Sequence, residues 1–245
     1  MKICITGITG YVGSQIARSL HQTGHELICP VRKKELVPDE IKDKHTVIRY
    51  DLTKEIDHID CDVLIHCAAW VSEKTLSFFL NKANIDGTRN IMNAVSKTAK
   101  VLFISCANVY NINQEIHRED EEIYPTLLTP YGRSKLKAED ILKTDFNDRD
   151  IVILRIHTMY GLRSRQLLST LIRLYNKGKL NAPGELNNNV SLTSINHLID
   201  VVKAFIGYDF KKVTTYNVVD AKSYKLKDVC LSLLSSTLGL SLIHI

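Results

Sequence analysis

The 245-residue sequence has no C-x-x-C pair and no Cys/His set at metal-ligand spacing among its six cysteines. Zinc and a disulfide framework are therefore not expected, and reduced thiols in a cytoplasmic compartment are. No apolar run approaches bilayer-spanning length, so no membrane span is expected. The net charge of +5 comes without a basic helix and without arginines interleaved with aromatics. That pattern points to a solvated surface and away from a nucleic-acid partner. There is no internal repeat and no low-complexity tract. The chain opens directly on "MKICITG", which leaves no room for a signal peptide.

What the chain does have is alternation. Short apolar segments read as strands: "KICIT" (2–6), "ELICPV" (26–31), "TVIRY" (46–50), "DVLIHC" (62–67), "VLFIS" (101–105) and "DIVILRI" (150–156). Longer amphipathic segments separate them, from Val12 to Gln22, over 76–97, and from Tyr131 to about Phe146. Strands apolar throughout and separated by helices imply a parallel sheet covered on both faces. The right-handed crossover rule makes that an α/β fold, a Rossmann-type doubly wound parallel sheet. After Gly161 the texture changes: 166–179 reads as a helix, 180–189 as a loop, 190–195 as a short strand and 197–206 as a helix. A strand over 214–220 and a helix over 225–239 complete the reading. The expected organisation is a nucleotide-binding domain over 1–160 and a smaller α/β substrate-side region over 161–239. The last six residues, "LSLIHI" (240–245), follow a helix-capping glycine and match a translation of CTG TCT CTT ATA CAC ATC, a transposon end used in library preparation. They are read as a non-native tail, with the true protein continuing.

Three motifs carry chemistry. "TGITGYVG" (6–13) follows the first strand and opens a helix. Gly7, Gly10 and Gly13 are spaced for a tight turn, close approach of backbone to a pyrophosphate, and close helix–strand packing, with Tyr11 and Val12 at the helix start. The second strand ends "CPVRKKE" (29–35), where an NAD site wants an acid for the ribose hydroxyls. Arg32 there suits the 2′-phosphate of NADP, with NAD as the alternative cofactor and a plain solvated turn as the bland one. "TPYGRSKLKAED" (129–140) places Tyr131 and Lys135 four residues apart, on one helix face. An ammonium beside a phenol favours phenolate, so Lys135 is expected to lower the Tyr131 pKa toward an acid/base range.

In this order the pieces resemble the extended short-chain dehydrogenase/reductases, the NAD(P)-dependent epimerase/dehydratase group, over nearly the whole chain to Gly239. "DLT" (51–53), "HCAA" (66–69), "NIDGT" (84–88), "ANVYN" (107–111) and "LRIHTMYG" (154–161) match further motifs of that group. The resemblance implies adenine contacts from Asp51 and Leu52, a small-residue turn beneath the cofactor at Ala68 and Ala69, and a cofactor-side amide at Asn84. Tyr131 would exchange a proton with substrate, Lys135 would hold the nicotinamide ribose, and His157 would stand on the nicotinamide side or serve as a structural histidine. Cys106 lies four residues before Tyr110, where the group carries a Ser or Thr that donates to the reacting oxygen.

The branch resembled is the 3β-hydroxysteroid dehydrogenase-like one, because a sugar-nucleotide R-x-x-N-x-x-G pattern finds Arg155 and Gly161 but Thr158 in place of Asn, and a separate diphosphate-binding arginine of those enzymes is replaced by Val190. An NADP-preferring oxidoreductase on an apolar hydroxyl or ketone is thus the leading expectation. A nucleotide-sugar epimerase, dehydratase or reductase is the runner-up, and a non-catalytic NAD(P)-binding regulator the third. The remaining expectations are a small-molecule substrate and a homodimer built through the helices at 75–95 and after Tyr131.

Overall fold

The computed structural model describes residues 1–111, 116–164 and 188–238. Its centre is a seven-stranded sheet. Along the chain, β1 (Lys2–Thr6) leads to helix α1 (Tyr11–His21) and β2 (Glu26–Val31), then to the one-turn α2 (Asp39–Lys42) and β3 (Thr46–Arg49). β4 (Val63–His66) is followed by α3 (Ser77–Asn81), which passes through a π-helical turn, Lys82–Asp86, into α4 (Gly87–Ala94). β5 (Lys100–Cys106), α5 (Pro130–Thr144) and β6 (Ile151–Ile156) follow. The later elements are β7 (Thr158–Tyr160), β8 (Asn189–Val190), β9 (Leu192–Ser194), α6 (Ile195–Gly207), β10 (Val213–Val218), β11 (Tyr224–Lys225) and α7 (Leu226–Leu238).

The strand order is β10-β6-β5-β4-β1-β2-β3. The pairings of β1 with β2 and β4, of β2 with β3, and of β5 with β4 and β6 are all parallel. Sequence order therefore reverses between β1 and β4, the switch point outside which such sheets bind ligands. β1, β4, β5 and β6 are buried along almost their whole length, as strands covered on two faces must be. One face packs Leu64, Phe103 and Ile153 against Ile91 and Met92 of α4 and Ala138 and Leu142 of α5. α1 buries Ile16, Ala17 and Leu20.

Two expected elements differ in detail. The helix expected over 76–97 ends at Ala94 and contains the π turn. There the hydroxyl of Thr88 takes the carbonyl of Asn84, and Gly87 is pressed against Leu52, its would-be Cβ lying 3.3 Å from that side chain. The strand expected over 190–195 is two short strands, with β8 pairing β11 and β9 pairing β7. The helix expected over 166–179, most of the loop after it and the tail at 240–245 lie outside the described residues.

The chain divides into two compact units, Met1–Ile156 with Ile199–Asn217, and His157–Leu198 with Val218–Ile245. The second unit is organised around Asp220. Its carboxylate accepts hydrogen bonds from the hydroxyls of Tyr160 (2.7 Å) and Tyr224 (3.0 Å) and from the Ser194 N–H (3.1 Å). No described helix is long and apolar enough to cross a membrane.

Candidate active site

The turns after β1 and β4 meet at the switch point and enclose a cavity of about 390 Å³ in the first unit. Gly7 adopts φ +74°, and a Cβ there would lie 2.7 Å from the Ala68 nitrogen. A Cβ on Gly13 would lie 2.4 Å from the Gly7 carbonyl oxygen. Both positions demand glycine for space, and Gly7 demands it for conformation as well. Gly10 caps α1, whose first turn carries no acidic residue, so nothing offsets the positive end of the helix dipole beside the cavity. Gly7 and Gly10 line the cavity, while Tyr11, Val12 and Gly13 open α1 and are not part of its lining.

Arg32, Asp51, Leu52, Ala68 and Ala69 all line the same cavity. The Asp51 carboxylate accepts from both the N–H and the hydroxyl of Thr53, each at 3.0 Å. These bonds, with Arg32 nearby, hold its pKa below the usual carboxylate value. A second pocket of about 740 Å³ shares Thr9 and Arg32 with the first and adds Lys33, Lys34, Glu35, Leu36 and Arg49. The β2–β3 register pairs Val31 with Arg49, which brings Arg49 beside the end of β2 where Arg32 follows. Arg49 was not singled out from the sequence. The available signal was a basic residue at the end of the third strand, adjacent in space to the second.

Asn84 does not line the cavity. Its carbonyl oxygen accepts the Trp70 N–H at 2.7 Å, and its amide nitrogen donates to the Trp70 carbonyl (3.1 Å) and the Ser134 hydroxyl (2.8 Å). It is a clamp on the cavity wall. Asn111, just beyond β5, clamps Tyr124 in the same way, accepting its N–H and donating to its carbonyl at 3.0 Å each.

β5 delivers the remaining groups. Cys106, Tyr131 and Leu80 pack in one buried cluster. Burial raises the thiol pKa, so Cys106 is a neutral S–H and not a thiolate nucleophile. Ser105, one residue earlier, points to the opposite face as strand alternation requires, and its hydroxyl donates to Glu139 at 2.5 Å. No rescue of a missing donor comes from it.

Lys135 corrects one expectation. Its ammonium donates to the Ile104 carbonyl at 2.8 Å and sits 3.9 Å from the Phe103 ring centroid, turned onto the strand. Burial lowers its pKa to about 8. The Tyr131 pKa is raised, first by burial and then by Cys106, instead of being lowered by Lys135. His157 belongs to the second unit, where its N–H donates to the Thr193 hydroxyl at 2.9 Å. Thr158 opens β7 in that unit, and Val190 pairs with Tyr224.

A glycine-built cradle at a switch point, a helix start free of acids and a cationic pocket alongside fit a dinucleotide with its phosphates. The sequence matches the model of the NAD dependent epimerase/dehydratase family over residues 3–218. The chain belongs to that family.

Among its epimerase/dehydratase relatives, the N-acetyl-alpha-D-glucosaminyl-diphospho-ditrans,octacis-undecaprenol 4-epimerase of Escherichia coli O157:H7 is 30% identical over 147 residues, 56% of this chain and 43% of the relative. The UDP-N-acetyl-alpha-D-glucosaminuronate decarboxylase of Bacillus cytotoxicus is 30% identical over 187 residues, 67% of this chain and 56% of that protein. The chain thus spans about half the length of these curated relatives. The structure of UDP-glucuronic acid 4-epimerase from Bacillus cereus in complex with NAD superposes with a TM-score of 0.79 at 23% identity, covering 98% of this chain and 85% of that one. These proteins are named for reactions of sugars, which favours the runner-up expectation over the sterol-like one.

Proposed function

We propose that this chain carries out reversible oxidation of a secondary hydroxyl on a nucleotide- or diphosphate-linked sugar, with inversion at that carbon as the net outcome. The observation that carries the reading is the buried cluster of Cys106 with Tyr131, whose helix also bears Lys135, in the unit that holds the dinucleotide cavity. When bound, a nicotinamide dinucleotide supplies the acceptor and donor of hydride. The protein supplies the rest. The Gly7–Gly13 turn and the start of α1 hold the pyrophosphate, Asp51 and Leu52 flank the adenine end, and Ala68 and Ala69 floor the cavity. Tyr131 takes the proton of the sugar hydroxyl as the ketone forms and returns it as the alcohol re-forms. Lys135, on the same helix as Tyr131, would hold the nicotinamide ribose. Cys106 offers the reacting oxygen a thiol hydrogen bond, weaker than the hydroxyl bond it replaces.

A second reading, a reductase drawing on NADPH, is favoured by one observation: Arg32, Lys33, Lys34 and Arg49 gathered in one pocket. Guanidinium groups suit a 2′-phosphate. One experiment separates the readings. Purified protein is incubated with UDP-sugars or with 3-oxo ketones, each with NAD⁺ or NADPH, and products are resolved by chromatography. Interconversion of UDP-sugar epimers without net dinucleotide consumption is the expected result, and NADPH consumption would favour the reductase. Turnover of 3-oxo ketones alone would return the sterol-like reading.

Cys106→Ser restores the stronger donor. A well-placed donor of this kind is worth about 10²–10³ in rate. Turnover is expected to rise by as much as about 10²-fold, and a fall would mean that the thiol serves another purpose.

A further inference from the structure

His66 ends β4 beneath the cavity and is 1% exposed. Its two ring nitrogens each meet a threonine hydroxyl, Thr6 at 2.6 Å on Nδ1 and Thr88 at 3.1 Å on Nε2. The directions of these bonds are fixed from outside the pair. The Thr88 hydroxyl donates to the Asn84 carbonyl at 2.6 Å, so toward His66 it can only accept. Nε2 must then carry the proton, and in a neutral ring Nδ1 must accept, here from the Thr6 hydroxyl. Thr6 in turn accepts the Ala68 N–H at 3.2 Å. Every donor in this chain of bonds faces the same way, from Ala68 through Thr6, His66 and Thr88 to Asn84.

Asn84 closes the circuit by clamping both backbone groups of Trp70 and reaching Ser134, whose hydroxyl donates to the Tyr131 carbonyl at 2.8 Å. The cavity wall from Ala68 to Trp70 is thus tied at both ends, and the same bonds reach the helix that bears Tyr131. A charged ring would need Nδ1 to donate as well, which reverses Thr6 and sets a second cation near Lys135. Burial, with Lys135 adding to it, holds the ring pKa down at about 3.

We propose that His66 is a positioning residue, locked as the neutral Nε2–H tautomer by Thr88, which sets the Ala68–Trp70 wall of the dinucleotide cavity. The proposal deepens the family reading of that cavity as the cofactor site and rests on it for the binding arm of its test alone.

Long-range ¹H–¹⁵N NMR of the intact protein needs no cofactor. It should show the Nε2–H form with no titration across the range where an ordinary histidine ionises. Thr88→Val removes the acceptor of the Nε2 proton and should shift the ring toward the Nδ1–H form. Thr6→Val removes the bond to the wall and should weaken NADH binding by about tenfold in a fluorescence titration, the scale of one lost buried hydrogen bond. A titrating ring, an Nδ1–H ring in the unaltered protein, or a Thr88→Val ring still in the Nε2–H form would each overturn the lock. Unchanged NADH affinity in folded Thr6→Val would overturn the positioning role. Unaltered protein that shows the predicted tautomer but binds no NADH would instead defeat the cofactor reading of the cavity.

Discussion

Tyr131→Phe is expected to lower turnover by about 10²–10⁴-fold, the range a positioned proton-transfer group contributes. Dinucleotide affinity should stay within a few-fold of the original, because the backbone cradle at Gly7 and Gly10 is untouched. The Tyr131 hydroxyl is the one acid/base group in the cluster it forms with Cys106 and Leu80, apart from the thiol itself. The pH profile gives an independent check. In the proposed role Lys135 donates from its ammonium to the nicotinamide ribose only while it carries its proton, and burial brings its pKa down to about 8. For the free enzyme, kcat/KM should therefore fall on its alkaline limb near that pH. The sign follows from the amine being charged below its pKa and neutral above it. Hydride exchange that survives in Tyr131→Phe would move the proton-transfer role elsewhere.

How much of this was legible in the sequence depends on distance along the chain. The glycine turn and the strands are local patterns, with residues three apart or strictly apolar runs, and the structure places them as those patterns require. Cys106 was legible too, since its place is fixed by counting back from Tyr110 and Tyr131. Contacts that cross the sheet carry no such spacing. Arg49 reaches the Arg32 pocket through the register of β3 on β2, and strand register cannot be counted along the sequence. Lys135 was expected to face Tyr131 because both share a helix face. The Ile104 carbonyl and the Phe103 ring, on a different element, hold its ammonium instead. Asn84 was placed on the cofactor side by motif, and its amide is occupied by Trp70, 14 residues earlier in the chain.

Arg155 shows the same limit at its largest energetic scale. In the sequence it was only the first residue of an incomplete motif. In the structure it is 1% exposed and pairs with the fully buried Glu139, with Nη2–Oε2 at 2.8 Å and Nε shared between both carboxylate oxygens at 3.2 Å. Its Nη1 donates to the Tyr110 hydroxyl at 2.8 Å, and that hydroxyl donates to Asn217 at 2.7 Å. Arg155→Met would leave the Glu139 carboxylate buried, with Lys143 at 3.5 Å as its remaining ion-pair partner among the described residues. Removing one partner of a buried pair costs about 3–5 kcal/mol, a large fraction of a typical domain's stability. The expected result in urea denaturation is a lower midpoint with an unchanged slope. Arg155→Met combined with Glu139→Leu should recover much of the loss, because it removes both charges and fills the space with apolar atoms. Recovery of stability without recovery of turnover would locate the pair's second role. Glu139 also holds the Ser105 hydroxyl, and Ser105 immediately precedes Cys106. The ion pair therefore fixes the end of β5 on one face while the reacting groups use the other. A double variant as active as the original protein would show that packing alone suffices to hold that strand end in place.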